Sequence, residues 1–527
     1  MSDEKKAKDL IISYFFPSYA DTGGFVVAKR VISNGKKVDI LQNYIENINK
    51  DESLNGIVDK FIENRIVLHA PYTQIWKWDS IKPFIIEGME KLNKISKDKN
   101  SYKSIYSRSM PRQAHYLGFE YKIEHPETKW IAEFSDPILF DIYGKKRATK
   151  LNDDNYIEKI NEIIEKNTIL KEKNINITLN HKKVTTEYLC ELLPFLFADE
   201  IIFTNENQQK IMINKFPLED NGNINNLKDF IIERSVINPQ PTLNKDAYES
   251  FKSNYELNDE YINFAYFGLF YGTRNFEDVF YAFENLNESF KDKFKLHIFT
   301  AEKNFVKRAI SNLKMEKNVI INDNIPYLEF LNLTTKFDVL IVSDANTKNY
   351  FEINPYLPSK IADYCGSGSD IWGICEEGSM LDKSEDITFK SRLGDFLSSK
   401  YIVNKIIFEK INSNYSLTKD EMDFKNFYFN LDNKINVMSN LENDEKILGS
   451  NLYEVINYLS IRNMNLNNDL NNLINQNEEK QININMLSND IDKLNKENID
   501  LKEKIKFLEN NRNKKSLTTS KLKKFFK

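Results

Sequence analysis

Short, fully apolar runs recur along the first three quarters of the chain, and between them apolar positions return every three or four residues. In the first half the runs are LIISYFF (10–16), KVDILQ (37–42), RIVLHA (65–70), SIYSRS (104–109), KWIAEFS (129–135) and EIIFTN (200–205). The second half has NFAYFGLF (263–270), KLHIFT (295–300), NVIIND (318–323), FDVLIVSD (337–344) and SDIWGIC (369–375). A run of this length suits a strand buried on both faces, and strands alternating with helical stretches form βαβ units. Six candidate strands followed by five predict two Rossmann-like, doubly wound α/β domains. Asn238-Pro239-Gln240-Pro241 marks the seam, because two prolines in four residues stiffen a connector. The first domain is placed at 1–240 and the second, with its closing helices, at 241–445.

From about residue 450 the period changes to seven. Isoleucine, leucine or asparagine occupies the a positions (Ile456, Asn463, Leu470, Asn477), and leucine most d positions (Leu459, Leu466, Leu473), through Ile505 and Leu508. Such a seam predicts a parallel dimeric coiled coil over 450–510, with contacts across 456–508; the a-position asparagines select dimer and register. A single long helix packed on the globular part is the other reading, although such packing usually wants a wider apolar stripe. The tail, 511–527, carries Arg512, Lys514, Lys515, Lys521, Lys523, Lys524 and Lys527 and no acidic residue. Its composition suits an anionic membrane surface, or simply a solvated end.

Composition narrows the function. Lys+Arg 73 against Asp+Glu 78 gives a net charge of −5, so the chain has no global nucleic-acid footprint. Three scattered cysteines, Cys190, Cys365 and Cys375, make neither a disulfide framework nor a zinc site. The opening MSDEKKAKDL lacks the apolar core of a signal peptide, and no run of eighteen apolar residues occurs. The expected location is the cytoplasm, with the basic tail able to bring the protein to the inner face of the membrane.

Glycine is scarce, 16 in 527 residues, so its clusters are informative. Gly23 and Gly24 follow the first strand run and precede a helical pattern; a ligand approaching the backbone and a bare βα turn both explain them. They do not form the G-x-G-x-x-G fingerprint, which disfavours a nicotinamide or flavin cofactor. Gly268 and Arg274 stand at the next such junction, where the guanidinium could clamp a diphosphate or begin a helix in solvent. In LPSKIADYCGSGS (357–369), Pro358 suits a first helical turn. Ser359 and Lys360 place a hydroxyl and an ammonium at the helix's positive end, and Asp363 follows on nearly the same face.

The order of these clusters resembles the GT-B-fold glycosyltransferases, in particular the retaining, nucleotide-sugar-dependent group-one type of cell-surface polysaccharide synthesis. The resemblance spans roughly 10–400 and is strongest at DTGGFVVAKR, YSRSMPRQAHYLG with WIAEFSDP, ADEIIFTNENQ, YFGLFYGTRNFEDV and NPYLPSKIADYCGSGSDIWGI. It implies that the first domain faces the acceptor and the second binds the nucleotide-sugar. The loop of Gly23 and Gly24 would face the cleft, Arg274 would grip the donor diphosphate with Gly268, Ser359 and Lys360 nearby, and Asp363 would hold the ribose hydroxyls.

Many members carry a glutamate eight places before the acidic residue matching Asp363; here that place is Pro355, with Asn354 beside it and Glu352 earlier. The donor sugar and the stereochemical course are left open by this difference. Arg108, Arg112, His115 and Asp136 follow two strand runs. The arginines are candidates to bind the acceptor, and His115 or Asp136 could serve as a base if configuration inverts. His115 in the core and Asp136 as a turn residue are the alternatives. Neither metal nor cofactor is expected. The predicted function is sugar transfer from a nucleotide diphosphate donor to a surface glycan or lipid-linked acceptor. A nucleotide-sugar 2-epimerase and a catalytically degenerate coiled-coil scaffold are the rivals.

Overall fold

The structure, a computed structural model, describes residues 9–411 apart from 73, 99–101, 219–223, 271, 275, 312 and 314. The expected coiled coil and basic tail, 450–527, lie outside the described residues. The first sheet contains β1 (Asp9–Ile12), β2 (Val38–Asn43), β3 (Ile62–Leu68), β4 (Ser104–Arg108), β5 (Lys129–Phe134), β6 (Glu200–Phe203) and β7 (Ser235–Ile237), in the order β3-β2-β1-β4-β5-β6-β7. The second contains β8 (Ile262–Phe267), β9 (Phe294–Phe299), β10 (Val319–Asn322), β11 (Val339–Ser343), β12 (Asp370–Cys375) and β13 (Phe389–Arg392), in the order β10-β9-β8-β11-β12-β13. Every pairing within the sheets is parallel. In both, the order reverses beside the first strand, the place where open α/β sheets form a crevice. This is the two-sheet arrangement that the resemblance implies.

The period-two alternation of each strand feeds two different cores. Leu10 and Ile12 of β1 join the cluster on one face of the first sheet, while Ile11 joins the other. Phe264 and Tyr266 of β8 face the outer core of the second sheet, and Ala265 and Phe267 turn to the cluster that also holds Ile11. One apolar cluster is therefore shared by both sheets. At roughly 25 cal/mol per Å² of buried apolar surface, such sharing is a main force holding the halves together.

Polar ties reinforce it. The helix Tyr327–Thr334 has no side-chain cap of its own; instead Asp51, from the other half, accepts its Tyr327 N–H at 2.6 Å, and Ser53 Oγ accepts from Leu328 N–H at 3.2 Å. Phe25, on helix α1 (Thr22–Asn34), stacks on Tyr327 with centroids 4.6 Å apart.

All eleven apolar runs contain strands of the structure. The two strands without a predicted run, β7 and β13, are sheet edges of three and four residues. Their SVI and FKSR sequences lack the apolar continuity of a strand covered on both faces, since an edge is covered on fewer sides. Among the described residues no helix is long and apolar enough to cross a membrane.

Candidate functional site

The site begins at the turn after β1. Asp21 caps α1, its Oδ1 accepting the Gly24 N–H at 2.9 Å. Both glycines therefore lie in the first helical turn. A Cβ on Gly24 would stand 3.1 Å from the Phe15 carbonyl oxygen, so this glycine lets α1 pack on the backbone before it. Its N–H is already spent on Asp21, and Gly24 serves packing and capping rather than a ligand. Gly23 differs: a Cβ there would lie 3.2 Å from Arg108 Nη1, and the residue lines a cavity.

Two cavities open along the junction of the sheets. The first, about 420 Å³, takes Thr22 and Phe25 from the first half and Gly268, Arg274, Ser359 and Lys360 from the second. The second, about 470 Å³, is walled by Gly23, Arg108, Asp136 and Arg147 on one side and by Arg274 and Tyr356 on the other. Thr22, Arg274, Pro358 and Ser359 line both, so the two cavities are parts of one cleft.

Of the residues expected to bind the donor, Gly268, Arg274, Ser359 and Lys360 line the first cavity and Gly23 the second, whereas Asp363 and Gly24 line neither. The helix Lys360–Cys365 has six residues, and Ser359 before it makes no side-chain cap. Lys360 supplies a full positive charge there, against the fraction of a charge a helix end provides. Its Nζ lies 4.0 Å from the centroid of the Phe330 ring. Burial lowers the Lys360 pKa, with Asp363 opposing that shift and Lys29 adding to it. Asp363 is buried, and its Oδ1 accepts from Lys29 Nζ at 2.9 Å and from Tyr327 Oη at 2.7 Å. Its carbonyl accepts from Tyr248 Oη at 2.7 Å, which ties the helix to the segment following the Pro-Gln-Pro connector.

In the second cavity, Asp136 follows β5 and forms part of the wall. Burial pushes its carboxyl up to about 6, although the guanidiniums of Arg108, Arg147 and Arg274 all act to lower it. Arg108 is buried and donates Nε to Glu133 at 3.1 Å.

His115 and Arg112, two further candidates, also lie away from both cavities. His115 is wholly buried, with Nδ1 2.8 Å from Ser107 Oγ and its ring 5.0 Å from that of Phe134. Burial lowers its pKa to about 3, with Arg108 adding to the shift. It lines neither cavity and is a core histidine, because the helix Gln113–Glu124 turns this face onto β4 and β5. Arg112 pairs with Glu187 at 2.8 Å and sits 4.9 Å from the centre of the Trp76 ring, joining helices away from both cavities. Its charge is consumed within the first domain.

Where the resemblance has a glutamate, the structure has a brace. Asn354 is fully buried; its Nδ2 donates to Ala345 O at 3.0 Å and its Oδ1 accepts from Tyr356 N–H at 2.9 Å. Asn207 and Asn205, of the first half, donate to the carbonyls of Asn354 and Pro355 at 3.0 and 3.2 Å. Glu352 is exposed and lines neither cavity. Sequence reasoning missed Arg147, Tyr356 and Gln240, which line the second cavity from loops, and Lys29, which reaches Asp363 from α1. Only Lys29 had a local signal: an ammonium on a helix face otherwise composed of Val26, Val27, Ala28 and Val31. Among the described residues no three His, Cys, Asp or Glu side chains converge to hold a metal ion.

No protein-family model matches the chain, and no curated protein matches it. Solved structures do. Sucrose-phosphate synthase from Thermosynechococcus elongatus is 11% identical, with 81% of this chain and 99% of that chain covered and a TM-score of 0.42. The apo form of the lipopolysaccharide outer core galactosyltransferase WaaB is 10% identical over 77% and 91%, with a TM-score of 0.43. A putative UDP-N-acetylglucosamine 2-epimerase from Listeria monocytogenes is 10% identical over 77% and 89%, with a TM-score of 0.42. The chemistry of this chain is therefore read from its own cleft.

Proposed function

We propose that the protein is a nucleotide-sugar-dependent glycosyltransferase that works in the cleft between its two sheets. The observation that carries this reading is that Arg274 and Ser359 line both cavities, with Lys360 on the wall of the first. A cationic junction between two compartments suits a diphosphate that joins a nucleoside on one side to a sugar on the other. The nucleoside would occupy the aromatic first cavity, among Phe25, Tyr327 and Phe330. The transferred sugar and the acceptor would share the second.

Catalysis would rest on orientation and on stabilising the departing diphosphate. Arg274 offers a planar fork to the phosphate oxygens and Lys360 a compact charge. Asp136 is the one carboxyl lining the second cavity without a hydrogen-bond or ion-pair partner among the described residues, and once ionised it can take a proton from an acceptor hydroxyl or hold that hydroxyl in place. The Asp363 carboxylate is taken up by Lys29 and Tyr327, so it holds the helix of Lys360 in place rather than facing the cavity. From the sequence alone, the acceptor is read as a surface glycan or lipid-linked sugar, 456–508 as a parallel dimer interface, and 511–527 as a contact for anionic lipid.

The test is a thermal-shift screen of UDP-, GDP-, ADP- and CMP-linked sugars, since a ligand that binds the folded state raises its stability by mass action. A donor selected in this way, radiolabelled in its sugar, should pass label to an acceptor. Label recovered only as an epimer of the donor would establish the epimerase instead, and no shift with any nucleotide would favour the non-catalytic scaffold.

A further inference from the structure

The second cavity holds polar groups that the protein leaves unused. Tyr356 Oη and Gln240 Oε1 are buried atoms without a hydrogen-bond partner among the described residues, and both residues line this cavity. A buried polar atom without a partner is costly, so a site with two of them is shaped for a ligand that supplies partners.

Three guanidiniums, of Arg108, Arg147 and Arg274, also line this cavity. Arg147 donates Nη1 to the carbonyls of Pro137, Ile138 and Phe140 at 3.2, 2.7 and 2.9 Å, and forms no ion pair among the described residues. Arg108 shares Glu133 with Arg30, at 3.1 and 3.0 Å, so two guanidiniums face one carboxylate. Asp21 and Asp141 line the cavity too, but Asp21 caps Gly24 and Asp141 accepts the N–H groups of Tyr143 and Lys145. The three aspartates match the three arginines in number, but among the described residues none of them pairs with Arg147.

We propose that the acceptor carries an anionic group, a phosphate or a carboxylate, that seats on Arg147 and Arg108 while Tyr356 and Gln240 bind its sugar hydroxyls. This rests on reading the cleft as a glycosyltransferase site and adds the chemical class of the acceptor. A guanidinium fork matches either anion in two parallel hydrogen bonds. The carbonyls of 137–140 hold Arg147 in place beforehand, so little order is lost when the anion arrives.

The experiment is calorimetry on the full chain with glucose 6-phosphate, glucuronate and glucose as probes. One of the charged probes should bind at least about tenfold tighter than glucose, as a charge-assisted contact gives, and the better of the two identifies phosphate or carboxylate. Arg147→Gln should abolish that advantage and Arg147→Lys keep part of it, because the lysine retains charge but not the fork. Tyr356→Phe should weaken all three probes alike, and Arg274→Ala should leave the preference for charge intact. Equal binding of charged and neutral probes, or a preference that survives Arg147→Gln, would overturn the proposal. Nucleoside diphosphate binding, measured in the same samples, reports separately on the donor reading and should not respond to Arg147→Gln.

Discussion

Lys29 Nζ lies 2.9 Å from Asp363 Oδ1, with both side chains buried and the two residues on helices from different halves of the molecule. The pair links α1 to the helix that carries Lys360, so it fixes the first cavity as well as the fold. Removing one member strands the other charge, which for buried pairs costs about 3–5 kcal/mol. Lys29→Met should therefore lower stability by about that amount, measured by chemical denaturation. Asp363→Leu combined with Lys29→Met should recover much of the loss, whereas additive losses would show that the residues act independently.

His115→Phe should leave the pH dependence of sugar transfer unchanged, because the imidazole lines neither cavity. It should cost about 1–3 kcal/mol by leaving the buried Ser107 hydroxyl without one of its partners. A lost pH limb in this variant would restore His115 as a base.

Most of the fold was legible because parallel strands covered on both faces must be apolar throughout. β8 is buried at all six positions and β11 at all five, and each stands out as a run. β7 escaped notice because an edge strand of three residues has no such signature. Part of the first cavity's wall was legible for a related reason: Gly268 and Lys360 stand at strand-to-helix turns, where they are conspicuous in a glycine-poor chain. The wall of the second cavity was not. Arg147, Gln240 and Tyr356 are far apart in sequence, sit in loops, and meet only through tertiary packing. His115 and Arg112 misled because a polar residue after a strand looks the same whether its helix turns it to the cleft or to the core.

Asp136 gives a prediction with opposite effects on activity and stability. Burial raises its pKa to about 6 from the usual 3.8, so folding favours its protonated form. The stability this confers is complete below the unfolded value and is lost as pH rises towards 6. Asp136→Asn should thus gain in melting temperature relative to the wild type between those limits, with a constant difference above them. Its kcat/KM should fall and lose the acid limb near pH 6 that the wild type shows. An unchanged acid limb would remove Asp136 from the proton chemistry.

The heptads predict a parallel dimer. Light scattering should give twice the chain mass for the full protein and the monomer mass for a chain ending at Asp444. Equal association states would place any dimer contact outside 456–508.

If the junction of the two cavities holds a diphosphate, calorimetry of UDP and GDP with wild type and Arg274→Ala will show it. One of the two nucleotides should bind the wild type saturably. The variant should keep its fold and lose about 1.5–3 kcal/mol of that affinity, roughly tenfold to over a hundredfold in Kd. Equal affinity in both proteins, or no binding of either nucleotide to the wild type, would contradict it.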